Sequence, residues 1–351
     1  MAYTDIDKPS DYFNTLTYTG DGTTKDITGV GFQPDLVWAK KRSATGFHAW
    51  CDSVRGGTKN IFSNSTNAEE TSATDWILSF ASDGFGVNSA GNLNQSSVTY
   101  VAWNWLADNT SGSSNTDGSI TSTVSANTTS GFSIVSYTGN GAVTATVGHG
   151  LGVTPKMIIY KNLGNAYNWL VYHESLGNTH GMYLNANDAS VDNVDFFKDT
   201  SPTSSVWTMS NSTLNNQGSI NHIAYCFAEK KGFSKFGSYT GNGSASDGTF
   251  VYTGFKPSFV MMKRTDTTGH WLSFDNKRSS SGGSNLIQQY LYPNLSDAEG
   301  SDASEGIDFL SNGFKHINNF SALNASGGTY IYMAFASSPF VTSGGIPTTA
   351  R

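Results

Sequence analysis

Short runs in which apolar side chains fill consecutive or alternate positions, each closed by Gly, Asn, Asp or Ser, follow one another along the whole chain. Runs of roughly four to eight residues, rich in β-branched and aromatic side chains and bounded by turn formers, are strand signals. In the N-terminal third they predict strands at 13–19, 36–42, 47–52, 60–63, 76–81 and 97–106. No stretch keeps a helical period long enough to compete. The pattern is therefore that of an all-β protein.

The pattern also repeats. The phrase Phe132-Ser133-Ile134-Val135-Ser136-Tyr137-Thr138-Gly139-Asn140-Gly141 has counterparts ending in Tyr18-Thr19-Gly20-Asp21-Gly22 and Tyr239-Thr240-Gly241-Asn242-Gly243. An apolar-polar run closed by Asn-Gly or Asp-Gly predicts a hairpin, because those residues reach positive φ easily. Pro34, Pro155 and Pro257 follow at intervals of 121 and 102 residues, and beyond them the three copies align without a gap. Lys40, Lys161 and Lys263 share one slot; Asp52, His173 and Asp275 share another. Each copy closes on an apolar run: Tyr100 to Trp103, Ile223 to Phe227, and Tyr330 to Phe335. A period near a hundred residues is too long for a solenoid and suits domains.

The resulting expectation is three tandem antiparallel β-sandwich domains, jelly-roll-like, at 12–108, 131–230 and 231–340. Residues 1–11 form an N-terminal arm and residues 341–351 a C-terminal tail. Residues 109–130 are almost wholly polar and predict a linker, with one strand around 120–124, across which the first unit moves relative to the second. The second and third units, joined by Lys230-Lys231-Gly232, are expected at a fixed angle.

Composition sharpens this picture. Charged residues are only 13% of the 351, while aromatics reach 13%, a composition suited to rigid, turn-rich β structure. The net charge of −7 argues against a sequence-independent grip on nucleic acid. Neither a signal peptide nor a membrane insertion is expected from the hydropathy pattern. Cys51 and Cys226 lie on apolar runs in different units and read as buried free thiols.

Internal repetition also supplies controls for candidate chemistry. The segment His48 to Gly56 gathers His, Asp, Ser and Arg, as a hydrolytic site would. Its siblings place Trp169 and Trp271 at His48, and Leu176 and Arg278 at Arg55. Asp52 with Arg55, and Asp275 with Arg278, are accordingly read as structural ion pairs, and no catalytic residue is assigned. Trp169 and Trp271 are the candidates for surface aromatics that stack on a sugar. Asp297, Glu299 and Asp302, on the most acidic of three equivalent polar loops, are where calcium would be sought, against a plain solvated loop. No cofactor motif is present.

Several segments resemble a family of repeated domains in tailed, often marine, bacteriophages. They are Asp35-Leu36-Val37-Trp38, His48 through Asp52-Ser53-Val54-Arg55-Gly56, Tyr100-Val101-Ala102-Trp103-Asn104-Trp105, and Pro339-Phe340-Val341 with Pro347-Thr348-Thr349-Ala350-Arg351. Members are described as tail fibre or virion structural proteins. The resemblance implies location in the virion, contacts with other virion proteins, and homo-oligomerisation, with a trimer usual for a fibre. Host surface glycan is a further partner under that reading. A capsid decoration protein and a glycan-degrading phage enzyme are the competing expectations.

Overall fold

The apolar runs become strands whose two faces are both covered. The computed structural model describes residues 3–89, 91–279, 285–302 and 305–348. Each repeat contains an opening strand (Phe13–Thr19, Phe132–Thr138, Ser234–Thr240) and a closing strand (Thr99–Trp105, Asn221–Phe227, Thr329–Pro339). Between them in sequence come a proline-associated strand (Leu36–Lys41, Met157–Asn162, Phe255–Arg264) and a third strand (Ala49–Asp52, Leu170–His173, Leu272–Asp275). All three repeats use the spatial order opening, closing, proline-associated, third, antiparallel throughout. The register is also shared. Leu36 lies opposite Trp105 and Asp52, Met157 opposite Phe227 and His173, and Phe259 opposite Phe335 and Asp275.

One face of each such sheet packs on a small outer sheet of its own repeat. In the first repeat that outer sheet is Lys25–Thr28, Gly84–Val87 and Ile77–Ala81. Val37, Ala39, Cys51, Phe85 and Tyr100 fill the space between the two layers. The second and third repeats have their own equivalents, around Ile158, Tyr160 and Trp207 and around Val260, Met262 and Phe314. Each repeat is thus an antiparallel sandwich.

The opposite faces meet one another. Trp38, Trp50, Trp103 and Trp105 of the first repeat join Met157, Ile159, Tyr225 and Phe227 of the second and Phe259, Met261, Met333 and Phe335 of the third in one buried cluster. At its centre Trp105, Phe227 and Phe335, which occupy the same slot of the three closing strands, form a triangle. Their ring centroids are 6.3, 5.7 and 6.1 Å apart, within the range of favourable aromatic contact. The repeats are lobes around a pseudo-threefold axis. Strands buried on both faces need no polar alternation, which is why the closing runs are apolar at every position.

Three expectations change. The repeated Tyr-Thr-Gly phrase is not a hairpin: Phe13–Thr19 pairs with Thr99–Trp105, whereas Lys25–Thr28 pairs with Gly84–Val87 in the other layer. It carries the chain across the sandwich. Its first glycine is required because a Cβ on Gly20, Gly139 or Gly241 would run into the carbonyl oxygen of Gln95, Gln217 or Ala325. The second glycine has φ of 74°, 67° and 67° at Gly22, Gly141 and Gly243. The tyrosine hydroxyl anchors the crossing by donating to Leu93 O, Asn215 O or Leu323 O at 2.8, 2.7 and 2.8 Å.

The stretch 109–130, expected as a linker, holds two strands, Ser113–Asn115 and Ser122–Asn127, which extend the second lobe's inner sheet. Its polar side chains are compatible with this because Ser113–Asn115 is an edge strand. Strands Lys25–Thr28 and Gly84–Val87 were absent from the sequence reading, since their glycines and charges mask the pattern. The arm is docked: Ile6 enters the central cluster, and Thr4 Oγ1 and Asp5 N donate to Lys231 O at 2.8 and 3.0 Å. The tail turns back on itself from Thr342 to Ile346, and Ser343 N donates to Asp7 at 2.7 Å. Thr349, Ala350 and Arg351 lie outside the described residues.

A shared core makes unfolding cooperative. Calorimetry of the full chain is expected to show one transition whose calorimetric and van't Hoff enthalpies agree, and Phe335→Ala should lower stability by about 3–5 kcal/mol. Three resolved transitions would contradict the shared core.

Candidate functional site

The residues that looked chemical in the sequence converge on the boundaries between lobes. Asp52 closes the third strand of the first lobe, and Arg55 turns back onto it with Nε 2.6 Å from Oδ2, both side chains buried. The same oxygen accepts the hydroxyl of Tyr225, from the second lobe, at 2.7 Å. Arg55 also reaches Glu69 at 3.0 Å. Between the third and first lobes the arrangement recurs. Arg278 Nε lies 2.5 Å from Asp275 Oδ2, Trp103 Nε1 donates to that oxygen at 3.0 Å, and the guanidinium sits 5.5 Å from the Trp103 ring centroid.

The second-to-third boundary explains the missing pair. Tyr225 and Trp103 share a slot with Met333, which has no proton to donate. A carboxylate facing Met333 would be buried without its partner. His173 stands there instead, donating from Nε2 to Tyr332 O at 3.1 Å while Nδ1 accepts from Ser175 N at 3.2 Å. Both nitrogens are satisfied by the neutral ring, so no arginine is needed. Leu176 occupies the arginine slot and packs on the central core. Burial pushes the His173 imidazole down to about 4.

Other repeated slots bridge the same boundaries. The backbone N–H groups of Glu69, Ser190 and Glu299 donate to Leu163 O, Thr265 O and Arg42 O of the next lobe at 2.9, 2.9 and 2.8 Å. Lys161 reaches Thr66 O of the first lobe at 2.9 Å, Lys263 reaches Asp188 O of the second at 2.8 Å, and Lys40 reaches Ser296 O of the third at 3.2 Å. Burial pushes these amines down to about 8 for Lys40, 7 for Lys161 and 8 for Lys263. The carbonyl acceptors oppose that displacement by favouring the ammonium.

Trp169 and Trp271 are not surface aromatics. They are 0% and 1% exposed, and their indole N–H groups donate across boundaries to Phe62 O and Tyr183 O, each at 2.9 Å. Their backbone N–H groups donate to Asn185 and Asn294, as that of His48 does to Asn64. The polar loops that had suggested calcium therefore begin with a side chain that tethers the third strand. His48 is fully buried toward the third lobe, facing the backbone carbonyls of Tyr292 and Leu295 without reaching hydrogen-bond geometry. Of the calcium candidates, Glu299 is bidentate to Arg42 at 2.8 and 2.9 Å and also touches Arg278, whereas Asp297 and Asp302 are exposed. Among the described residues no group of three His, Cys, Asp or Glu could hold a metal ion. Cys51 and Cys226 are buried free thiols in the cores of different lobes; burial pushes the Cys51 thiol up to about 12 and raises that of Cys226 as well.

A different place departs from the threefold pattern. The outer-sheet strand Phe250–Tyr252 turns Phe250 and Tyr252 outward, 43% and 61% exposed. Strand register matches these slots to Asp26 and Thr28 in the first lobe and to Thr146 and Gly148 in the second. Tyr252 lines a groove of about 260 Å³ with Tyr3, Phe340, Glu229, Lys235 and Ser234. Its walls come from the arm, the second-to-third junction and the start of the tail, so sequence reading by repeat did not find it. A signal was present in the aromatic pair of Phe250-Val251-Tyr252, where the other copies are polar.

Three outcomes test the boundary chemistry. Asp275→Ala, which takes from buried Arg278 its nearer carboxylate and from Trp103 Nε1 its acceptor, should cost roughly 3–5 kcal/mol in denaturant unfolding. His173→Asp should be similarly damaging alone and recover when Leu176→Arg and Met333→Tyr are added; no recovery would break the pairing rule. The folded pKa of His173 lies below its usual 6.5, so its contribution is complete above that value. It is lost as pH falls from about 6.5 to about 4, by roughly 3 kcal/mol. Melting temperature measured across that interval should therefore fall less in His173→Gln than in the unaltered protein.

No curated protein and no solved structure matches the chain. One family does match, over residues 8–339, from the docked arm to the end of the last closing strand. By that coverage the chain belongs to the family described as Domain of unknown function (DUF7483).

Proposed function

We propose that this protein is a non-enzymatic structural component of a tailed bacteriophage particle, part of a tail fibre or related appendage that contacts the host surface. The observation that supports this most is the fate of its reactive side chains. Asp52, His173 and Asp275 are fully buried and each bonds to a neighbouring lobe, while Arg55 and Arg278 pair with the two carboxylates. A catalytic acid or base must reach substrate, and these do not. Rigid closure of three sandwiches, by contrast, suits a building block that carries load and holds loops in fixed positions. The resemblance of the Asp35–Trp38, His48–Gly56 and Tyr100–Trp105 segments to phage repeated domains points the same way.

Immunogold electron microscopy of the phage particles that encode the chain tests the reading. Label on the tail or its appendages is expected. Label confined to the capsid would assign a decoration role instead, and particles without label would overturn virion membership. Purified protein incubated with host envelope polysaccharide should release no oligosaccharide; release would overturn the non-enzymatic part.

A further inference from the structure

We infer that the groove between Tyr3, Tyr252 and Phe340 is a saccharide-binding site, taking a monosaccharide-sized unit of a larger glycan. The fold gives no reason for its aromatic walls. The slot of Tyr252 carries Thr28 and Gly148 in the other lobes, and those lobes close the same sandwich and the same axis. Tyr3 and Tyr252 remain 62% and 61% exposed, so they contribute little to the core. Three exposed aromatic rings, Tyr3, Tyr252 and Phe340, gathered on one groove mark a contact surface.

The chemistry of the walls selects the ligand. A pyranose ring has an apolar face of C–H groups and a rim of hydroxyls. Tyrosine and phenylalanine rings supply flat, polarisable surface for the first, and a tyrosine ring brings a hydroxyl of its own. For the second, the groove offers the Glu229 carboxylate and the Lys235 amine, held 2.7 Å apart and both part-exposed. A carboxylate and an ammonium side by side accept from and donate to neighbouring hydroxyls, the pattern a vicinal diol presents. A wholly apolar partner would bury that ion pair at a cost. The volume, about 260 Å³, is at the small end for ligand pockets.

The walls are fixed before any ligand arrives. Tyr3 is held by the bonds of Thr4 and Asp5 to Lys231 O, and its ring lies 5.9 Å from the Lys231 amine. Phe340 N donates to Gly254 O at 3.4 Å, and Thr348 N returns to Phe340 O at 3.2 Å. Tyr252 stands on a paired strand opposite Gly313. Such preorganisation lowers the ordering cost of binding.

This inference deepens the host-contact part of the proposed function and rests on that reading only there. The test uses the full chain on an array of bacterial, plant and animal glycans, followed by titration calorimetry with the retained saccharide. At least one saccharide should be retained. Tyr252→Ala and Tyr3→Ala should each weaken it about tenfold or more without moving the melting temperature, while Thr28→Ala at the equivalent slot leaves affinity unchanged. An array that retains nothing, or a saccharide whose affinity both tyrosine variants preserve, would overturn the assignment. Self-association in sedimentation that Tyr252→Ala abolishes would overturn it too, by making the groove a contact between copies. None of these results bears on microscopy of the particle, so failure here is separable from failure of the virion reading.

Discussion

Three aromatic rings, Trp105, Phe227 and Phe335, meet on the pseudo-threefold axis, and much of the architecture follows from the need to cover them. Each projects from the closing strand of its lobe, the strand that pairs on both sides within its sheet. Burying these rings obliges the whole inner face of every sheet to turn toward the axis. An ordinary two-layer sandwich has a core on one side and water on the other; here the inner layer has a core on each side. The lobes are consequently held to one another by the same kind of packing that holds each lobe together.

Apolar packing sets no register between lobes, because it is non-directional. The directional contacts at the boundaries provide it. Asp52 accepts from Tyr225, Asp275 accepts from Trp103, and His173 donates to Tyr332 O. The identities are matched across each boundary: a carboxylate with its arginine where the facing slot can donate a proton, and a neutral imidazole with an aliphatic neighbour where that slot is Met333. Buried ion pairs contribute weakly to net stability, but losing one partner is costly. Their value here is geometric. The chain forms within itself a threefold arrangement like that made by three separate copies in a symmetric oligomer.

Departures from the threefold rule then carry information that identity does not. Positions where all lobes agree, such as the buried lysines or the loop asparagines, answer to the closure. Positions where one lobe carries exposed aromatics, as at Phe250 and Tyr252, do not. The aromatic groove lies where the arm, the second-to-third junction and the tail come together. Rigid lobes present it, and their repetition makes it recognisable as an addition.

By itself the sequence determined the β class, the three-part repeat and the slots that correspond, since these rest on local periodicity and spacing. It also marked Asp52 with Arg55 and Asp275 with Arg278 as partners, because three residues of separation on a turn brings them within reach. It kept Trp169 and Trp271 as candidate surface aromatics, because each follows a polar residue and replaces His48, and it took Tyr-Thr-Gly for a hairpin. Only the tertiary structure decided those cases. The bonds that engage the two indoles join residues far apart in sequence, 107 positions for Trp169 to Phe62 and 88 for Trp271 to Tyr183. A local pattern states that a strand has two apolar faces; what covers the second face depends on how distant segments meet, and here it was the other two copies of the same pattern.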